Sequence, residues 1–317
     1  MTSYPTRREF VRTASSGLAG LGAASKLVMP GDSLAEASKS TVAVIRDEKA
    51  ISDRNVTNRA ELRRMVDTAL GTVTGKAAAK EAWAALGVTK DDVVAIKVNC
   101  NSWTFLLSTH PDLVYALTDS LSEVVPANNI IIYERYTNEL GRAGYRTNTG
   151  PSGVRCFGAE KGGGFDSGGL TKIVTDMATK VINIPSLKAV DGDFGASLFL
   201  KNHIGTIPPN QMANCHGNAL FCNQVCAQPA LRNKAVLAVC DGLRGTYKRG
   251  VPWYWKGIIM SRDQVAAEYT AHQVINEKRI AEKDRPIGLP SYVTKADTAY
   301  RLGTADPAMI DVVKKEL

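Results

Sequence analysis

Between Asn183 and His216 the chain concentrates residues that grip anions. The segment reads Asn-Ile-Pro-Ser-Leu-Lys at 183–188, Leu-Lys-Asn-His-Ile-Gly at 200–205 and Asn-Cys-His-Gly at 214–217. Lys188, Lys201, Asn202, His203 and His216 stand there among Gly and Pro, with Asp191 and Asp193 as the local carboxylates. Ammonium and amide donors side by side suit a small anion, above all a carboxylate. Crowded ammonium groups also lower one another's pKa, so one of them can act as a base or form a Schiff base. His203 and His216 are candidate acid–base groups or metal ligands.

Cys215, Cys222 and Cys226 add a second kind of chemistry. Together with His216 they offer ligands for a metal ion or an iron–sulfur cluster. Six and then three residues separate the cysteines, which matches no standard zinc or ferredoxin pattern. Disulfides or plain buried thiols are the other readings of the same residues.

These side chains need a scaffold, and the apolar runs supply one. Asp91–Cys100 holds Val93-Val94-Ala95-Ile96 and then turns polar at Lys97 and Asn99. It reads as a buried strand whose C-terminal end carries the polar groups, the edge at which open α/β sheets bind ligands. Thr109 can cap a helix over 110–124, with Pro111 in its first turn. Ile130–Tyr133 is the next strand, so strand, helix and strand form a βαβ unit. Lys234–Asp241 is another apolar strand, ending at Asp241, a carboxylate able to orient a lysine, bind a metal or act as base. Shorter strands are expected over 41–46, 181–182 and 309–314. Helices are expected over 58–73, 75–86, 170–179, 262–280 (capped by Ser261) and 295–302. The fold class is α/β, a mostly parallel sheet with flanking helices and an inserted loop-rich lobe over about 141–230. Gly162-Gly163-Gly164 lacks the order of a phosphate loop and reads as a lid or surface loop. Trp253-Tyr254-Trp255 is placed to roof a pocket or simply to pack.

The composition is that of an ordinary globular chain: 317 residues, 44% hydrophobic and 22% charged, with a net charge of +8. Lys and Arg are scattered among Asp and Glu, so the clustered footprint of a nucleic-acid binder is missing. No apolar run reaches the length of a membrane span. There is neither a nucleophile-elbow motif for a serine hydrolase nor a dinucleotide fingerprint. At the amino terminus, Thr6-Arg7-Arg8-Glu9-Phe10 looks like a twin-arginine export signal. A weakly apolar stretch from Ala14 to Met29 follows, then Ala35-Glu36-Ala37 as a cleavage site. Residues 1–37 are therefore expected to be a signal peptide read by the twin-arginine translocase. The mature chain is then periplasmic or otherwise extracytoplasmic, where disulfides can persist.

Ile96-Lys97-Val98-Asn99, Thr109-His110-Pro111 and Asn183-Ile184-Pro185 with Lys188 resemble the family called domain of unknown function 362. So do Leu200–Gly205, Cys215-His216-Gly217, Cys240-Asp241-Gly242 and the Ser261–Ala267 segment. The resemblance covers about residues 41–317. This chain departs from the family near its last long helix, where Asp263–Glu268 lacks a proline and carries Glu268 in place of an aspartate. It also lacks the ferredoxin-like cysteine segment of some relatives. A more distant likeness is to the lactate-racemase family. There a lysine anchors a nickel-pincer cofactor and a histidine some fifteen residues later ligates nickel; Lys201 and His216 have a similar spacing.

Taken together, the residues describe an exported enzyme acting on a small carboxylate-type anion. Lys97, Asn99, Lys188, Asn202 and His203 would bind the anion, and Lys201, His216 and Asp241 would do the chemistry. One alternative is a metal or iron–sulfur redox protein built on Cys215, His216, Cys222 and Cys226. The other is a non-catalytic anion-binding protein.

Overall fold

The structure, a computed structural model, describes residues 38–100 and 107–317. The expected signal peptide lies outside the described residues. Lys39–Leu317 forms one unit.

Chain order is β1 (Ser40–Arg46), α1 (Arg59–Thr74), α2 (Ala79–Ala85), β2 (Val94–Val98), α3 (Pro111–Leu121), β3 (Ile130–Glu134), α4 (Thr137–Arg142) and β4 (Arg155–Gly158). Then come β5 (Lys180–Ile184), β6 (Ser186–Lys188), α5 (Phe199–Asn202), α6 (Leu220–Cys226), α7 (Pro229–Arg232) and β7 (Ala235–Lys248). The chain continues through β8 (Val251–Trp253), β9 (Gly257–Ser261), α8 (Gln264–Ala281), α9 (Ser291–Thr298) and β10 (Ile310–Glu316).

The strands form one sheet in the order β10-β1-β9-β7-β5-β2-β3-β4, with β6 and β8 pairing β7. Strands β7, β5, β2, β3 and β4 run parallel, while β9 is antiparallel to both β7 and β1. From β2 the chain lays β3 and β4 on one side, then returns to place β5 and β7 on the other. The strand order therefore reverses between β2 and β5, and their C-terminal ends flank a topological switch point.

Alternation along the strands sorts the core into two faces. Val94, Ile96, Val98, Ile130, Ile132, Ile182 and Ile184 face a cluster with Leu62, Met65, Val66, Leu113 and Leu117 of α1 and α3. Ala95, Ile131, Tyr133 and Val181 face the other way, toward Leu200, Cys222, Val225, Tyr292 and Val293. Strand β2 is buried on both faces, as a continuous apolar run between two helical layers should be. Helix α1 buries Leu62, Met65, Val66, Ala69, Leu70 and Val73, the helical repeat of one stripe. Each large aliphatic side chain there contributes about 1.5–3 kcal/mol on burial. Asn58 caps α1 through the N–H of Ala60, and Gly75, at φ 69°, ends it.

Several expected boundaries shift for identifiable reasons. His110 rather than Thr109 caps α3, because the Thr109 hydroxyl is engaged by the strand ends. Asp263 rather than Ser261 caps α8, accepting from the N–H groups of Val265 and Ala266, while the Ser261 hydroxyl donates to Thr41 O. Over 170–179 only a wide turn forms, Ile173–Met177. Strand β7 runs past Asp241 because its second half pairs with β6 and β8. The expected lobe over 141–230 is not set apart: β4 and β5 are members of the sheet, and α5 and α6 cover one face of it. Among the described residues no helix is long and apolar enough to cross a membrane.

Candidate functional site

At the switch point, Lys97 of β2 pairs in register with Asn183 of β5 and Tyr133 of β3. The Lys97 ammonium is fully buried. It donates to Val98 O at 2.6 Å and forms an ion pair with Glu134 Oε1 at 2.9 Å. Glu134 Oε2 accepts from the N–H of Arg135. Lys97 therefore spends its charge internally, and the cation expected to bind substrate is a structural one.

Gly205 explains how the ion pair is roofed. A Cβ there would lie 2.6 Å from Lys97 Nζ and 3.1 Å from Glu134 Oε1. Gly205→Ala should cost about 1–3 kcal/mol through overpacking against a buried charge pair. A denaturation midpoint unchanged from wild type would contradict this.

Around this pair the asparagine amides form a chain. Asn202 Nδ2 donates to Asn183 Oδ1 at 2.8 Å, and Asn183 Nδ2 donates to Phe199 O. Asn202 Oδ1 accepts from Asn99 Nδ2 at 3.3 Å and, at 3.5 Å, from Lys97. Asn99 Oδ1 accepts from Lys188 Nζ at 3.0 Å. Of these residues, Lys188 is the partly exposed one. Its pKa is pushed down to about 8, first by burial and then by the charge of Lys201. Lys201 lies 3.7 Å from the centre of the Phe194 ring, a cation–π contact, and burial lowers its pKa as well. Hydrogen bonds link Asn202, Asn99 and Lys188 in turn, and Lys201, next to Asn202 in α5, acts on Lys188 through its charge.

The short helix α5, which carries Lys201 and Asn202, is pinned from below by Glu268. That buried carboxylate accepts from Leu200 N at 2.9 Å and from the Tyr292 hydroxyl at 2.7 Å, and burial raises its pKa to about 7. Glu268 therefore acts on the site through α5.

The remaining expected site residues are placed elsewhere. Asp241 is buried on the face of Val239 and Leu243, opposite Cys240. It accepts from His110 N at 2.6 Å and Leu243 N at 3.0 Å, and burial raises its pKa to about 6 against the pull of Arg244. It anchors the start of α3. His203 is buried, and burial lowers its pKa to about 3. Neither of its ring nitrogens has a hydrogen-bond partner in good geometry, although Gln264 lies close enough to favour the protonated form slightly. His216 is exposed, following a 3₁₀ turn.

The cysteine readings are corrected in the same way. All six cysteines are free and buried, so the disulfides that their even number allows are not formed. The Cys215 thiol is pushed down to about 6 by the neighbouring Cys222 thiol, Lys201 and His216, whereas Cys222 and Cys226 are pushed up. Cys226 Sγ donates to Leu200 O at 3.5 Å. Among the described residues no three His, Cys, Asp or Glu side chains are placed to hold a metal ion. The set Cys215, His216, Cys222 and Cys226 is therefore not assembled as a ligand cluster. Lys201 and His216 likewise do not fit a nickel-pincer group: the lysine packs on Phe194 and the histidine faces solvent.

Glu134, Asn183, Gly205 and His110 were missing from the site expected from sequence. Asn183 had a usable signal, since it occupies the position in β5 that matches Lys97 in β2. Glu134 had a weaker one, a carboxylate at the end of an apolar strand next to Lys97.

Fold and site together define a doubly wound α/β protein with a lysine–asparagine cluster at its switch point. A family model described as Domain of unknown function (DUF362) matches residues 94–273, and the chain belongs to that family. The matched span includes both sides of the switch point, from β2 into α8. No curated protein and no solved structure matches the chain.

Proposed function

We propose that the protein binds a small carboxylate at the switch-point edge and acts on it through Lys188. The carrying observation is Lys188, a partly exposed residue whose amine is held by Asn99 and lowered to about 8 by burial and a second cation. Near neutral pH most of it is protonated and attracts an anion, while a minor neutral fraction can take a proton or attack a carbonyl. Lys201 supplies the companion charge. Asn99 and Asn202 fix the distance between the two elements that carry the lysines. His216 and Asp241 have no part in this reading. The Arg7-Arg8 signal pattern supports an extracytoplasmic location for the mature chain.

Calorimetry with 2-oxo and 2-hydroxy monocarboxylates tests the proposal. Wild type should bind at least one saturably. Lys188→Met should weaken that binding tenfold or more, since a charge-assisted contact contributes about 1.5–3 kcal/mol. Retained affinity in the variant, or no binding by wild type, sinks the reading. Borohydride treatment with a bound 2-oxo acid distinguishes the roles: a mass gain at Lys188 marks imine chemistry, and intact binding without it favours the non-catalytic alternative.

A further inference from the structure

A second site lies at the opposite edge of the same strands. Ala235 opens β7 and pairs with Val181 near the start of β5, so this edge is the N-terminal one. A cavity of about 190 Å³ opens there, lined by Arg232, Arg262, Arg301, Gln264, Leu302 and, at its inner end, Asn183 among others. No carboxylate lines it. The three arginines are exposed, and among the described residues none of them forms an ion pair. Some exposed arginines elsewhere, Arg59 and Arg249, each meet an aspartate. The neighbouring carboxylates are already committed to backbone donors. Asp263 accepts from Val265, Ala266 and Thr304, and Asp297 accepts from Ala305.

Two further observations show that the arginines are built in rather than scattered. Arg232 Nη2 donates to Arg301 O at 2.7 Å, so one arginine holds the turn that carries another. Arg301 itself sits just past α9 with φ 51°, in the left-handed region. Glycine is favoured at such a position, and another residue there stores strain of order 1 kcal/mol. The sequence places glycine two positions later, at Gly303, and keeps arginine at the strained one.

Guanidinium groups present planar forks that match the oxygens of a phosphoryl group, and several of them together neutralise a dianion. We infer that this cavity binds a tetrahedral oxyanion, either free phosphate or the phosphoryl group of a small phosphomonoester. Gln264 supplies an amide contact toward its inner end, where Asn183 is already held by Asn202 and Phe199 O. The site opens away from the carboxylate edge, shares only the buried Asn183 with it, and is independent of the reading given to Lys188.

The test is titration of the full chain with inorganic phosphate and with glycerol 3-phosphate, followed by calorimetry and phosphorus NMR. Wild type should bind one or both saturably. A clear preference for the ester identifies an organic phosphate as ligand, and equal affinities identify the free ion. Arg301→Gly removes the charge and relieves the strained backbone, so it should fold at least as stably as wild type. It should nonetheless bind the phosphoryl group at least tenfold more weakly, and so should Arg262→Gln. Lys188→Met should leave this binding unchanged. The inference is overturned if wild type shows no saturable binding of either ligand. It is equally overturned if Arg301→Gly and Arg262→Gln both bind as wild type does.

Discussion

Lys97→Met should lower the unfolding free energy by about 3–5 kcal/mol, because it leaves the Glu134 carboxylate buried without its cation. The packing loss is small, since methionine fills most of the lysine stem. The charge decides the result: Glu134 is almost fully buried, and among the described residues its other hydrogen bond comes from a single N–H, that of Arg135. Pairing the change with Glu134→Gln should recover a large part of the loss, because two neutral groups no longer oppose burial. Urea denaturation of the two single variants and the double variant reads this directly. If Lys97→Met unfolded within about 1 kcal/mol of wild type, the ion pair would not be the keystone of the edge.

The second large effect is in the pH dependence of stability, where two sets of buried groups pull in opposite directions. His203 falls from 6.5 to about 3, and His110 and His272 to about 4, burial being the first cause in each. These rings stay neutral in the fold while the unfolded chain protonates them below 6.5. The unfolded state then binds more protons, and stability is lost as pH falls from 6.5 toward 3. Asp241 and Glu268 act the other way. Their folded values, about 6 and about 7, lie above the ordinary 3.8 and 4.5, so their contribution is largest in acid and fades as pH rises through the folded values. At about 1.4 kcal/mol per pH unit, His203 spans roughly 5 kcal/mol and each other group roughly 3. Three histidines outweigh two carboxylates, so stability should peak near pH 6.5 and fall steeply toward pH 4. Urea midpoints measured from pH 4 to 8 check this, and a peak at or below pH 5 would show that the carboxylates dominate. Among the described residues neither ring nitrogen of His272 has a hydrogen-bond partner, and Nε2 stands 3.9 Å from Glu268 Oε1. His272→Leu should therefore flatten the acid limb without loss at neutral pH.

Much of the frame was legible because apolar runs have few options. Val93–Ile96 and Ile130–Tyr133 are too short and too β-branched for buried helices, and the βαβ unit between them follows. The candidate lysines were legible in kind, since Lys188 bonds Asn99 and Lys201 adjoins Asn202 in α5. Their separate roles were not. Whether a strand-end lysine faces solvent or a carboxylate depends on what the neighbouring strand brings, and Glu134 lies 37 positions from Lys97. His216 and Asp241 misled for the same reason, being near the cluster in sequence or at the sheet edge, yet one faces solvent and the other the opposite side of the sheet. Membership of β5 in the centre of the sheet was hidden by its short apolar run, Val181-Ile182, inside a glycine-rich region.

The position of β1 has a consequence for how the molecule is made. It lies between β9 and β10, and Ser40 Oγ bonds Asp263, 223 positions later. While a ribosome is still extending the chain, β1 has no partner on either side and two unpaired edges. The switch-point strands β2 and β3 can pair much earlier. Completion of the sheet therefore waits for the last strand to emerge, and closure is a late, long-range and intrinsically slow event. Until then the growing chain carries an exposed apolar strand, Val42–Ile45, that a holding chaperone would have to cover.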